Sequence, residues 1–238
     1  MNLKASNKVI IKPDSLSLAL VFVFICITTI SSYGIEFSDK KTTEWKLVKN
    51  SNDIKAYVED CPMDAIKKVK VETVVIASLS ELVSIIKDAQ SHNDWVFLNS
   101  ESKVLDQPDP YHWKYYGRTD APWPVSDRDC IVETVLTQNP FDYSVKISGM
   151  AIPTYKPETE DCVRIKYSNS VWTFNPLGNE MVHVSFELKV DIGGNIPQWL
   201  VNMAVAKGPF KTMAGFKKIL ETGKYRDAKL SFIKEYTH

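Results

Sequence analysis

The run Asp191–Leu220, DIGGNIPQWLVNMAVAKGPFKTMAGFKKIL, constrains this chain more than any other stretch. Gly193-Gly194-Asn195 is a turn followed by a capping residue, and Pro197 has the fixed φ of a first helical turn. Ile196, Trp199, Leu200, Met203, Ala206, Phe210, Met213, Phe216, Ile219 and Leu220 recur every three or four positions. That spacing predicts one apolar stripe on a helix of about seven turns, with Gln198, Asn202, Lys207, Lys211, Lys217 and Lys218 elsewhere on its surface. A stripe this long needs a cover, and almost everything before it reads as β-strand. The expected architecture is α+β, a strongly bent antiparallel sheet gripping one long C-terminal helix.

Taken in order, Trp45–Val48 and Ile54–Val58 alternate around Asn50-Ser51-Asn52-Asp53, a hairpin pattern. Lys67–Ile76 is a β-branched run with Val69, Val71, Thr73 and Val75 on one face. The period then changes. Ser78-Leu79-Ser80-Glu81 is a capping box, and Leu79, Leu82, Val83 and Ile86 predict a helix to about Ala89, with a short helical turn at Asn93-Asp94-Trp95. Strands are expected at Glu101–Asp106, Tyr111–Thr119, Asp129–Thr137, Tyr143–Ala151, Cys162–Phe174 and Glu180–Asp191, with turns at Gln107–Pro110, Ala121–Ser126, Gln138–Pro140, Pro153–Asp161 and Asn175–Asn179. This is the pattern of an antiparallel meander. In the last strand Val182, Val184, Phe186, Leu188 and Val190 share one face, which should meet the helix. No linker or internal repeat divides residues 42–221, so they read as one domain between a leader, 35–41, and a basic C-terminal tail, 222–238, expected to fray.

The 238 residues carry 29 basic and 29 acidic side chains, and this balance offers no reason to propose nucleic-acid binding. Lys4, Lys8 and Lys12 precede the apolar run Leu16–Ile30, and Ser32-Tyr33-Gly34 has small residues at the positions of a cleavage site. Residues 1–34 therefore read as a signal peptide for export, or as a retained N-terminal anchor; the run is shorter than the roughly twenty apolar residues of a spanning helix. Removing three lysines and Asp14 from a neutral chain leaves a net charge of −2. Cys61, Cys130 and Cys162 allow at most one disulfide and contain no C-x-x-C pair.

Four stretches in fixed order carry more than a pattern: Ala121–Asp129 (APWPVSDRD), Val163-Arg164-Ile165, Ser170–Pro176 (SVWTFNP) and Asp191–Asn202 (DIGGNIPQWLVN). Together they resemble the START family of lipid-transfer domains, and the similarity covers residues 42–221. The resemblance implies a helix-grip fold with an internal apolar tunnel, roofed by the C-terminal helix and the Pro122-Trp123-Pro124 loop. It implies one bound lipid or sterol-like molecule, no chemistry and no cofactor. Some members place an acidic and a basic side chain inside; Arg118, Glu133 and Arg164 are candidates here. The expected cavity or lid residues are Trp113, Trp123, Arg118, Arg164, Phe186, Leu188, Trp199, Met203, Phe210 and Met213.

Two physical readings compete beside that resemblance. An apolar strand face and a helix stripe can simply bury each other as solid core. Met203 and Met213, which adapt to irregular shapes, and Gly208, Pro209 and Gly215, which interrupt a helix, favour a pocket under a roof that bends at Gly208-Pro209. Trp123 is either folded onto the sheet or available to lipid headgroups. Asp127-Arg128-Asp129 looks like charge pairing that fixes its loop. From Lys207 onward eight basic residues face three acidic ones, a bias suited to an anionic bilayer surface or to plain solvation. His92, His112 and His183 are isolated, with no H-x-x-x-H pair, no G-x-S-x-G elbow and no phosphate-binding glycine loop; no catalytic or metal-binding residue is expected. The alternatives to a carrier or sensor are a cyclase or hydratase type of enzyme on the same fold, which needs ionisable groups converging in the tunnel, and a solid interaction module.

Overall fold

The computed structural model describes residues 44–60, 66–194, 196, 201 and 207–236. The signal-like segment, Cys61, Trp199 and Met203 lie outside these residues. β-branched and aromatic positions at period two build strands β1 (Glu44–Ser51), β2 (Ile54–Asp60), β3 (Lys68–Ile76), β4 (Asn99–Asp106), β5 (His112–Thr119), β6 (Asp127–Gln138), β7 (Val145–Ala151), β8 (Cys162–Arg164), β9 (Tyr167–Gly178) and β10 (Met181–Asp191). They form one curved sheet in the order β1-β2-β3-β10-β9-β7-β6-β5-β4, with β8 alongside β6.

The meander is interrupted twice. β3 pairs antiparallel with β10, so the first three strands join the sheet through the last one. The segment expected to be one strand, Cys162–Phe174, is two: β8 runs parallel to Asp127–Asp129 of β6, and β9 begins at Tyr167. β9 also continues through Pro176 to Gly178, beyond the expected turn, because the ladder shifts register between Met181 and Val182 and so tolerates a proline. The reversal falls on Asn179-Glu180, both at positive φ, as do Asn52-Asp53 between β1 and β2. Two consecutive left-handed residues make the type I′ turn that matches strand twist.

Helix α1 (Leu79–Lys87) starts as the capping box requires: the Ser78 hydroxyl accepts a hydrogen bond from Glu81 N at 3.1 Å. A short 3-10 turn (Ala89–Ser91) and helix α2 (His92–Trp95) follow. Helix α3 (Gly208–Glu221) holds Pro209 in its first turn, where an absent N–H costs nothing. Lys207 just before it is the N-cap, with αR backbone angles and no side-chain capping bond. Phe210, Met213 and Phe216 turn the stripe of α3 inward.

The core sits between α1, α3 and the β3–β10–β9–β7 face. Trp172 stacks on Phe186 at 4.4 Å between ring centroids and packs against Phe216 at 5.1 Å, and Trp95 meets Phe216 edge-on at 5.7 Å. The C-terminal tail, expected to fray, is packed against the domain over its described residues. Glu235 accepts hydrogen bonds from Leu79 N (2.8 Å) and Ser80 N (2.9 Å) at the start of α1. Gln138 pairs with both backbone groups of Lys234, Tyr225 donates to Asp88, and Ile233 is buried. The apolar triad Leu230, Phe232 and Ile233 supplies the contact area that a purely basic tail would lack.

Candidate ligand-binding site

Alternate residues of five strands turn one face toward a common void. They are Trp113, Tyr115, Gly117 and Thr119 on β5; Arg128, Cys130, Val132 and Thr134 on β6; Ile147 and Gly149 on β7; Ser168, Ser170 and Trp172 on β9; and Phe186, Leu188 and Val190 on β10. Period two guarantees this grouping once the register is set. On β10 the same face holds Val182 and Val184, which are packed into core, before it passes to the residues on the cavity. The face is filled at one end and unfilled at the other. Ile86 of α1, His92 and Trp95 of α2, residues 96–98 and Asn99 that follow, Asp120, Ala121, Ile165 and Ile192 just past strand ends, and Gly208, Pro209 and Thr212 of α3 complete the described wall. The cavity measures about 290 Å³, at the bottom of the roughly 300–1,000 Å³ usual for small-molecule sites.

Ionic groups on the wall gather at one end, where β5 pairs Thr119 with Arg128 of β6. The Arg128 guanidinium donates to the carbonyls of Ser126, Ile192 (3.3 Å) and Gly193 (3.4 Å), tying the exit of β10 to β6. Burial pushes the Arg128 pKa down, against the pull of nearby negative charge. Asp120 and Asn99 lie at the same end, where Asp120 N donates to Leu98 O at 2.9 Å. The rest of the wall is apolar or neutral. His92 is buried, its Nε2 is 3.0 Å from Ile86 O, and burial holds its pKa below the usual imidazole value, so Nε2–H is the donor of a neutral ring. Burial raises the Tyr115 phenol, and raises the Cys130 thiol to about 12, so both stay protonated. Among the described residues, no group of three His, Cys, Asp or Glu is placed to hold a metal ion.

The sequence-derived candidates divide three ways. Trp113, Phe186 and Leu188 are on the cavity wall. Phe210 and Met213 are instead packed in the core cluster, because a one-residue offset along α3, about 100° around the helix, turns Pro209 and Thr212 to the void. Arg118 is on the other face of β5, where it binds Asp127 (2.6 Å) and Asp161 (2.8 Å). Glu133 also faces outward, 3.6 Å from Lys114. Arg164 is buried but away from the cavity. It binds both oxygens of Asp129 (2.8 and 2.9 Å) and the carbonyls of Pro153, Lys156 and Pro157. The Asp127-Arg128-Asp129 run thus fixes three different partners. Trp123 is 91% exposed in its loop, outside the cavity wall. His112 is exposed and held by Asp109 at 2.9 Å. Cys130 and Cys162 are free thiols.

Sequence reasoning missed Trp95, Tyr115, Thr134 and Trp172 as wall residues. The signal was present for Thr134: it stands in an otherwise apolar alternation, Cys130, Val132, Thr134, Leu136, where a lone hydroxyl faces inward.

A curved sheet gripping a helix over an apolar cavity defines a helix-grip fold. The family model for the START domain matches residues 38–226. The chain belongs to the START domain family. An uncharacterised protein of Pseudomonas aeruginosa is 29% identical over 178 residues, 75% of this chain and 87% of that protein. The crystal structure of a fragment of the STAR-related lipid transfer protein from Xanthomonas axonopodis is 28% identical, with a TM-score of 0.69 over 74% of this chain and 98% of that one. Human StAR-related lipid transfer protein 5 shares the fold at 15% identity, with a TM-score of 0.67 over 87% of this chain and 98% of the human one.

Proposed function

We propose that this protein binds one lipid-like small molecule in the cavity and carries it between membranes or reports its presence. The observation that supports this most is the unfilled half of the sheet's inner face, where β5, β6, β7, β9 and β10 present side chains to a void rather than to packed core. Affinity would come from apolar burial, about 25 cal/mol for each Å² removed from water, with few polar groups to orient the ligand. The name of the Xanthomonas relative, a lipid transfer protein, agrees with it. Ligand exchange requires the roof to move, and Gly208-Pro209, on the wall at the start of α3, is where it bends in this reading. Trp123 and the basic residues of the C-terminal region would touch an anionic bilayer during exchange. Export or membrane attachment through residues 1–34 belongs to the same reading, and N-terminal sequencing of protein recovered from cells tests it.

The deciding experiment is mass spectrometry of an organic extract of natively purified protein, paired with uptake of fluorescent fatty acyl and sterol probes. A stoichiometric apolar compound in the extract, or saturable uptake, is expected. An empty extract together with no uptake would overturn the carrier reading.

A further inference from the structure

A buried polar atom with no partner lowers the folded population roughly five- to 150-fold, so native proteins seldom leave one. Among the described residues two such side-chain atoms remain, Trp95 Nε1 and Thr134 Oγ1. They come from unrelated elements, α2 and the middle of β6, yet both residues border the cavity. Trp95 is 5% exposed and Thr134 3%. Trp95 is clamped edge-on by His92, Trp172 and Phe216, which leaves its indole little freedom to find another acceptor. Thr134 lies opposite Trp113 on β5 and Gly149 on β7; Trp113 makes no hydrogen bond to its hydroxyl and Gly149 has no side chain to make one. A side chain at position 149 is shut out, since a Cβ there would come within 2.7 Å of Ser170 Oγ and 2.9 Å of Val132 Cγ1.

Charge is distributed the opposite way. The ionised side chains on the described wall are Asp120 and Arg128. Arg128 is six positions from Thr134 along one strand, about 20 Å at ~3.3 Å per residue. An ionised headgroup beside Thr134 and Trp95 would be buried without a counter-ion, a strongly unfavourable state. The volume of about 290 Å³ also suits one slim molecule better than a two-chain lipid.

Building on the carrier reading, we propose that the ligand is a compact, uncharged lipid whose single oxygen function, an alcohol or a ketone, is hydrogen-bonded by the Trp95 indole N–H and the Thr134 hydroxyl. The apolar body then extends along β6 toward Arg128.

The test is displacement of the neutral dye N-phenyl-1-naphthylamine from wild type, Thr134→Val and Trp95→Phe by 1-dodecanol, 2-dodecanone, dodecane and laurate. Wild type is expected to bind at least one oxygenated probe tenfold or more tighter than dodecane, and laurate more weakly than that probe. The alcohol and ketone arms identify which oxygen is preferred. Thr134→Val is nearly isosteric and should cut the preference severalfold. An undiminished preference in both variants would mean the orphan atoms are served by buried water only, and would overturn the assignment. So would tightest binding of laurate, a result read on wild type alone should either variant fail to fold. If neither dye nor any probe binds wild type, the carrier reading itself falls, and this inference with it.

Discussion

Arg164 is one substitution away from being an unpaired charge in the core. It is 3% exposed and its partner Asp129 1%, and the Asp129 hydrogen bonds raise the arginine's pKa further. Asp129→Asn is expected to cost about 3–5 kcal/mol in urea unfolding. Arg118→Ala, which breaks a half-buried pair with Asp127 and a more exposed one with Asp161, should cost about 1 kcal/mol or less. Both arginines looked alike in sequence, basic residues on strands near an apolar face. What separates them is β8, three residues lying parallel to β6 and delivering Arg164 onto Asp129, and no local pattern announces a parallel pairing that short. His92 makes a residue-scale prediction in pH. Its folded pKa is depressed by burial, against about 6.5 unfolded. The unfolded chain therefore takes up a proton first, and stability is full above about pH 6.5 and falls as pH drops below it. His92→Gln keeps a donor for Ile86 O and should flatten that part of a stability–pH profile; an unchanged slope would exclude His92 as its source.

Helix α1 takes its N-terminal bonds from two distant parts of the chain, Ser78 locally and Glu235 from the tail. A carboxylate there also meets the positive end of the helix dipole. Glu235→Ala is expected to cost about 1 kcal/mol, read as a melting temperature lower by about 2–4 °C for a domain of this size. The capping box was legible because it is local. The tail's grip was not, since charge dominates its composition and the three apolar positions that hold it down are too few to show a period. Gly215 teaches the same lesson inside α3. In sequence it reads as a helix interruption; in the structure an added Cβ would lie 2.1 Å from the carbonyl oxygen of Trp95. Gly215→Ala should gain about 1 kcal/mol of helix propensity yet lose about 1–3 kcal/mol to overpacking. Net destabilisation in urea is the expected result, and net stabilisation would show that α2 yields freely.

At the scale of the whole molecule, the strands, the helix and the side of each strand that faces inward were readable from period and turn residues. The cavity was not readable in the same way. Val184 and Leu188 obey one alternation on β10, but the first is enclosed by packed neighbours and the second borders empty space. Filling is decided by how far α1, α2 and α3 reach across the sheet, a global quantity that no strand encodes. The exchange machinery can be tested at this scale. Trp123→Ala should weaken binding to anionic vesicles severalfold while ligand affinity is retained, because Trp123 is outside the cavity wall. Pro209→Ala should slow ligand release in stopped-flow dye displacement, and equal rates would remove Pro209 from the gate. Translation delivers α1 well before Glu235, which follows Leu79 by 156 residues. A ribosome stopped short of residue 235 therefore holds a nascent domain whose first helix has not received its second cap, so this fold closes only after the segment carrying Glu235 has been made.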